Sequence, residues 1–277
     1  MNFQYSPLRY PGGKAKIAPL LKDCLKLNNL NNCTYIEPFA GGAGAALDLL
    51  LSENVETICI NDADRSIYSF WYSITKYTDK FVDKIRSTPV TIDEWMIQKS
   101  IYQNRKEKLF DRGFATFFLN RCNVSGILTG GAIGGIEQKG KWKIDARMNK
   151  EALIRKIEKI ALYANRVNIS NLDWELFLDK EFIKMNRKKY FIYLDPPYYK
   201  KGQDLYMNYF SHQDHLKLEK YLRNKTNWIL TYDYCPEILE IYKKYEKQEF
   251  ALNYSARTVR KGRELLIYSK NINGRLT

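Results

Sequence analysis

The sequence predicts an α/β protein, a mostly parallel sheet flanked by helices and interrupted by a mostly helical insertion. Three observations predict it. Short β-branched and aromatic runs alternate with helical stripes over residues 33–75 and again from 149 onward. Residues 76–148 lose that rhythm and read as helices followed by a glycine-rich basic stretch. Near the end, Gln248 to Tyr254 and Glu264 to Ser269 read as an antiparallel hairpin around a basic turn, Arg260-Lys261-Gly262-Arg263. The expected division is a sheet domain made of 1–75 and 149–277, with 76–148 inserted.

The elements follow in order. Thr34-Tyr35-Ile36 is a short strand, Gly41 to Gly44 a turn, and Ala45 to Leu51 a small-residue helix. Thr57 to Ile60 is a second strand, closed by Asn61-Asp62. Ile67, Phe70, Trp71 and Ile74 then recur at the spacing of an amphipathic helix. In the insertion, Thr91 to Glu94 is a capping-box signature for a helix running to about Leu109. Phe114 to Leu119 is the apolar part of another helix. Asn123 to Arg147 has no regular period; loops of such length in compact proteins are functional or disordered, and Ile133, Ile136, Trp142 and Ile144 speak against disorder. Leu153, Ile157, Ile160 and Ala164 make a helical stripe. Arg166 to Ile169, Tyr190 to Leu194 and Asn227 to Tyr232 are strands, and Ser211 to Asp214 caps a helix reaching Leu222.

Bulk properties restrict the function. The net charge is +14, a balance that suits nucleic acid or an anionic surface. Cations interleaved with 21 tyrosines fit proteins that hold unstacked bases. The five cysteines, Cys24, Cys33, Cys59, Cys122 and Cys235, are scattered, with no pair at metal-ligand spacing. Isolated thiols fit a reducing compartment. The N-terminal residues show no secretory signal and no apolar run is long enough to cross a membrane, so the expectation is a cytoplasmic protein.

The sharpest signal is Tyr193-Leu194-Asp195-Pro196-Pro197-Tyr198-Tyr199, an apolar strand that ends in an acid, two prolines and two tyrosines. Proline has no N–H and a fixed φ, so the stiff turn offers acceptors only: a carboxylate and nearby carbonyls. Acceptors converge usefully on an NH2 group, and an aromatic face can stack on a planar ring. An exocyclic amine on a flat base meets both conditions. The second signal is Glu37-Pro38-Phe39-Ala40-Gly41-Gly42-Ala43-Gly44, a strand, a glycine-rich turn and a helix start. It is neither the nicotinamide fingerprint, which would need glycine at Leu47, nor a P-loop, since Gly13-Lys14 has Leu8 where the first glycine belongs. Asp62, at the end of the next strand, is placed to accept from ribose hydroxyls or to cap a helix.

Together, "RYPGGK" (9–14), "EPFAGGAG" (37–44), "IND" (60–62), "NLDW" (171–174) and "LDPPYY" (194–199) resemble, in kind and in order, the Dam-like D12 class of DNA N6-adenine methyltransferases, over nearly the whole chain. The resemblance implies a Rossmann-like seven-stranded methyltransferase sheet with the glycine turn and the D-P-P-Y strand side by side. It implies S-adenosyl-L-methionine as methyl donor, no metal, double-stranded DNA as partner and a bacterial or phage-infected cell as setting. Tyr10, Lys14, Phe39, Gly41, Asp62, Asp173 and Asp195 correspond to the cofactor contacts, Lys14 to the partner of the methionine carboxylate and Asp173 to the acceptor of the adenine amine. Asp195, Pro196, Pro197 and Tyr198 correspond to the catalytic motif, acting on an adenine flipped from the duplex.

Residues 120–127, Asn-Arg-Cys-Asn-Val-Ser-Gly-Ile, depart from the GATC readers of that class, so a GATC target does not follow. Whether a cognate restriction endonuclease accompanies the protein is left open. Arg121, Asn123, Lys139, Lys141, Lys143 and Arg147 are the candidates for DNA contact in the insertion, with Arg260 and Lys261 in the C-terminal turn as phosphate candidates. His212 and His215, three apart on a helix, are too few for a zinc site and read as surface residues. An amide-directed methyltransferase would carry Asn before Pro-Pro-Tyr; Asp195 speaks against it, while RNA stays open.

Overall fold

The computed structural model describes residues 5–9, 17–184, 189–200, 210–256 and 258–274. Its strands are β1 (Thr34–Glu37), β2 (Thr57–Asn61), β3 (Val167–Ser170), β4 (Tyr190–Leu194), β5 (Trp228–Asp233), β6 (Lys247–Ala256) and β7 (Thr258–Tyr268). They form a seven-stranded sheet in the order β3-β2-β1-β4-β5-β7-β6. The first five are parallel, and β7 enters antiparallel between β5 and β6. The described helices are α1 (Ala18–Leu27), α2 (Gly44–Leu51), α3 (Arg65–Lys76), α4 (Thr78–Ser87), α5 (Ile92–Gln103), α6 (Leu109–Cys122), α7 (Lys150–Ala161), α8 (Trp174–Lys184), α9 (His212–Leu222) and α10 (Pro236–Ile241).

A strand turns successive side chains to opposite faces, and this sheet is covered on both. Tyr35, Phe191, Tyr193, Ile229, Leu266 and Tyr268 face a core that also contains Leu21, Leu47, Phe70, Trp71 and Ile157, from α1, α2, α3 and α7. The alternate residues Ile36, Ile192, Leu194, Trp228, Leu230, Leu265 and Ile267 face a second core with Leu178, Leu218, Leu222 and Ile238, from α8, α9 and α10. Two-sided burial is why β4, and β5 as far as Leu230, are apolar runs rather than alternating ones.

The expected strands are all present. The capping box at Ser211 and Asp214 forms in both directions; Thr91 also caps, accepting from the Glu94 N–H at 3.2 Å. The helix it starts stops at Gln103 rather than near Leu109, where the next one begins. Helix α6 is buried almost all round. Phe117 lies parallel to Phe70 at 6.1 Å, and Phe81 of α4 meets Phe114 and Phe117 edge-on. So α4 and α6 extend the core built on α3.

One expectation is corrected. The hairpin does not reverse at Arg260 to Arg263. Its register runs from Lys247 opposite Ile267 to Ala256 opposite Thr258, so Arg260 and Lys261 lie within β7, opposite Tyr254 and Asn253. Each strand is about ten residues long, and pairing continues as far as the two backbones can exchange hydrogen bonds; the basic cluster resembles a turn only in composition.

Candidate active site

The sheet order places the carboxyl ends of β2, β1, β4 and β5 in a row, where open α/β sheets bind ligands. The glycine turn leaves β1 and is tied at several points to the end of β2. Ala40 N–H donates to Asn61 O at 2.9 Å, Gly41 N–H to Asp62 Oδ2 at 2.8 Å, and Asn61 Nδ2 to Pro38 O at 3.0 Å. Trp71 of α3 donates its indole N–H to Gly41 O at 2.9 Å. Gly41 takes φ 48°, a left-handed conformation that glycine adopts freely. Ala43 adopts φ 45° without that freedom, a local strain of the kind that persists where surrounding bonds over-determine the backbone.

Asn61 also reaches the third loop. Its Nδ2 donates to Leu172 O and its Oδ1 accepts from Leu172 N–H, both at 3.0 Å. Asn171 Nδ2 donates to Asp62 O at 2.8 Å. The "EPFAGGAG", "IND" and "NLDW" motifs, more than a hundred residues apart at the extremes, are thus stitched together largely by one asparagine that the motif reading passed over. Asp173 is exposed and accepts from Glu175 N–H at 3.0 Å, at the start of α8.

Three carboxyl groups gather here. Glu37, the last residue of β1, is buried. Burial pushes its carboxyl up to about 8; the Tyr35 hydroxyl and the Ala46 N–H in the first turn of α2 pull it down, while the Asp195 and Asp62 charges push it further up. Burial likewise pushes Asp62 up to about 7, against the two backbone N–H groups, of Asp64 and Gly41, that it accepts. Glu37 was not singled out from the sequence as a site residue. Its position as the terminal acid of the strand feeding the turn was the available signal.

Asp195 begins the turn after β4 and is partly exposed between buried Leu194 and Pro196. Thr231 Oγ1 donates to Asp195 Oδ1 at 2.8 Å. Thr231 has one hydroxyl proton, so Tyr193 Oη, 3.0 Å away, is the donor to Thr231. The next residues are held from β5: Asp233 accepts the N–H groups of Tyr199 and Lys200 at 2.9 and 3.0 Å. Tyr198 does not offer the open face expected of it. It is 9% exposed, its ring is 6.4 Å from Tyr232, and buried Glu264 of β7 lies close enough to help raise its pKa after burial and the Asp195 charge.

His215 is likewise not a surface residue. It is fully buried beneath this turn, Nδ1 2.7 Å from Tyr232 Oη and its ring 4.9 Å from that of Tyr199. Burial lowers its pKa to about 4. Its position three and seven residues before Leu218 and Leu222, which line the core, was the signal that would have turned it inward. His212 is exposed, as expected, and meets Tyr199 Oη at 3.0 Å. Phe39, from the glycine turn, packs edge-on against Phe210 at 5.7 Å, and Phe210 against His215 at 5.4 Å. Tyr10 and Lys14 lie outside the described residues.

The basic candidates divide. Asn123 is fully buried: Oδ1 accepts from Trp95 Nε1 at 2.7 Å, and Nδ2 donates to Ile127 O and Leu128 O at 2.8 and 3.0 Å. Its amide is spent and no base edge reaches it, which corrects its reading as a DNA contact. Arg121 is committed as well, its guanidinium bonded to Arg147 O and, at 3.5 Å, to Pro7 O. Burial, then the Arg9 charge, lowers its pKa to about 10. Asn120 clamps the N-terminal segment, accepting from Arg9 N–H and donating to Arg9 O, both at 2.7 Å, and to Gly126 O at 2.9 Å. Lys139, Lys141, Lys143 and Arg147 are exposed. Of Arg260 and Lys261 only the strand position is described. Among the described residues no group of three or more His, Cys, Asp or Glu is disposed to hold a metal, and no helix is long and apolar enough to cross a membrane.

A mixed seven-stranded sheet with a glycine turn and an Asp-Pro-Pro-Tyr turn at neighbouring strand ends defines a methyltransferase-type α/β enzyme. Residues 10–257 match the D12 class N6 adenine-specific DNA methyltransferases, and the chain belongs to that family. It is therefore a DNA methyltransferase acting on adenine N6. Among curated proteins, the type II methyltransferase M.MjaIII of Methanocaldococcus jannaschii is 22% identical over 237 residues, 78% of this chain and 78% of that protein.

Proposed function

We propose that the enzyme uses S-adenosyl-L-methionine to methylate N6 of an adenine that has left the duplex, with the strand-end cluster as its active site. The observation that carries this is the parallel pairing of β1 with β4, Tyr35 opposite Phe191, which brings the glycine turn beside Asp195-Pro196-Pro197. The cluster fits the cofactor chemically. The left-handed turn at Gly41 and the half-buried Gly44 at the start of α2 would allow a ligand to approach the backbone closely. Asp62 has acceptor capacity beyond its two backbone bonds for ribose hydroxyls, and the acids around Glu37 favour a cation. Phe39 and Asp173 would line the adenine end, and Tyr10 and Lys14 the methionine end. When bound, the cofactor supplies an already activated methyl group on a sulfonium.

The protein's own task is to make a poor nucleophile competent. The N6 lone pair is delocalised into the ring. Asp195 and the Pro196 carbonyl each accept one N6 hydrogen, drawing the nitrogen toward tetrahedral geometry and stabilising the positive charge that develops on it. Prior deprotonation of neutral N6 by a carboxylate of pKa about 4 is far too unfavourable. Thr231 and Tyr193 fix the Asp195 carboxylate, Asp233 fixes the backbone beyond it, and Tyr198 serves as a wall beside Glu264 rather than as an open platform. We assign target contact to 76–148, with Lys139, Lys141, Lys143 and Arg147 on phosphates, and the remainder of the chain to catalysis. Incubation with methyl-labelled S-adenosyl-L-methionine and duplex DNA should yield N6-methyladenine, and mapping its positions gives the recognition sequence. Label found in RNA or protein and never in DNA would overturn the reading.

A further inference from the structure

Trp142 stands out among the five tryptophans. Trp71, Trp95, Trp174 and Trp228 are buried, whereas Trp142 is 64% exposed. The exposure is built rather than incidental. The loop leaves the core at Ala132 and returns at Ile144, both buried. Between them Gln138 braces it: Nε2 donates to Ile133 O and Gly135 O at 2.8 and 2.6 Å, and Oε1 accepts from Ile144 N–H at 2.8 Å. Gly134 takes φ 84° at a point where a Cβ would lie 2.6 Å from the Trp142 carbonyl oxygen, so the two arms of the loop touch where only glycine fits. The tip displays an indole among exposed Lys139, Lys141, Lys143 and Arg147, with Glu137 and Asp145 the acids of that stretch.

We propose that Trp142 is a DNA contact of a different kind from its neighbours: its indole packs on the apolar deoxyribose surface of the duplex while the flanking cations neutralise phosphates. This rests on the assignment of the loop to target contact. Charge complementarity selects the occupant, since a duplex meets the cations with phosphates and presents apolar deoxyribose between them. The two kinds of contact separate by salt. Phosphate neutralisation releases counterions and weakens with salt, while apolar packing does not.

The test uses the whole enzyme and mixed-sequence duplex fragments. In the native protein acrylamide should quench Trp142 far more than the buried indoles, and saturating duplex should remove that accessible component. Trp142→Ala should weaken duplex binding roughly tenfold, about 1.4 kcal/mol, with the slope of log affinity against log salt unchanged. Trp142→Phe should retain most of the affinity, and Lys141→Ala should lower the slope by about 1. If Trp142 stays open to acrylamide in a saturated complex that is still methylated, the proposal falls and the methylation reading stands. If protection comes from single-stranded RNA and never from duplex, both fall.

Discussion

The strand-end cluster and the loop between Ala132 and Arg147 are both scaffolded by uncharged amides, yet they display opposite chemistry. At the strand ends Asn61 joins three motifs and the groups held inward are acids, Glu37 and Asp62 buried enough to be pushed toward neutrality. In the loop Gln138 braces the backbone, and the groups left outward are cations and one indole. The first region spends its polar contacts before any ligand arrives, which is how preorganised sites act on a transition state. The second leaves its cations on the exposed surface, Lys139 and Lys143 with partners inside the loop, where a polyanion can still reach them. A residue's type therefore says less than whether its hydrogen bonds are already spent.

Breaking the first region should cost most. Asp195→Asn keeps the shape but turns one acceptor into a donor. Single-turnover methylation at saturating cofactor and DNA should fall ~10²–10³-fold, with DNA still bound. A near-native rate would make the carboxylate structural.

Asn123 sharpens the comparison because it sits at the foot of the loop, opposite Ala132, with its own hydrogen bonds spent. Asn123→Ala strands the Trp95 indole N–H and two carbonyls, so stability should drop by about 2–3 kcal/mol while the methylated sequence stays the same. Urea unfolding and methylation mapping read the two effects; an altered sequence preference in a fully stable variant would restore Asn123 as a reader.

Buried His215 should make the fold acid-sensitive. Its folded pKa of about 4 lies below the ordinary 6.5, so the unfolded chain takes up the proton first. Stability is complete above about pH 6.5 and declines as pH falls toward 4, by on the order of 2 kcal/mol. His215→Gln should flatten that part of the stability curve measured by denaturant titration.

Asp62 predicts a pH dependence of binding. Ribose hydroxyls donate to the ionised carboxylate, and the free carboxyl titrates near 7. Affinity for S-adenosyl-L-methionine should rise from pH 6 to pH 8, about tenfold over that span, and the rise should vanish in Asp62→Asn. Calorimetry across the range decides it; a flat native profile removes Asp62 from the ribose.

The smallest effect belongs to the loop. Glu137 pairs with Lys139 at 2.5 Å, both well exposed. Glu137→Gln should raise DNA affinity about twofold at low salt and not at all at high salt, as for any screened surface charge.

The sheet and the chemistry of its strand ends were legible because two-sided burial writes apolar runs and because prolines after an acid have few other uses. The features that escaped share a cause. Asn123 and Arg121 look like base readers until the carbonyls that saturate them are known, and those carbonyls come from folding. His215 was taken by its polarity when its spacing to Leu218 and Leu222 was the better guide. Arg260 and Lys261 looked like a turn because charge clusters often are, whereas the register depends on how far two strands stay paired. Helices α1 and α8 were missed although Ala18, Leu21, Cys24 and Leu25 in one, and Trp174, Phe177 and Leu178 behind the capping Asp173 in the other, fall at helical spacing.

The pairing of β1 has a consequence for how the chain is made. Its partner on one side, β2, follows closely; its partner on the other, Tyr190 to Ile192, is synthesised only after the insertion, α7 and α8. Until then the central strand has a bare edge with Tyr35 and Ile36 unprotected, the kind of edge that recruits other chains. A nascent chain halted before β4 should therefore be aggregation-prone and inactive, because the strand that covers this edge is also the one that ends in Asp195-Pro196-Pro197.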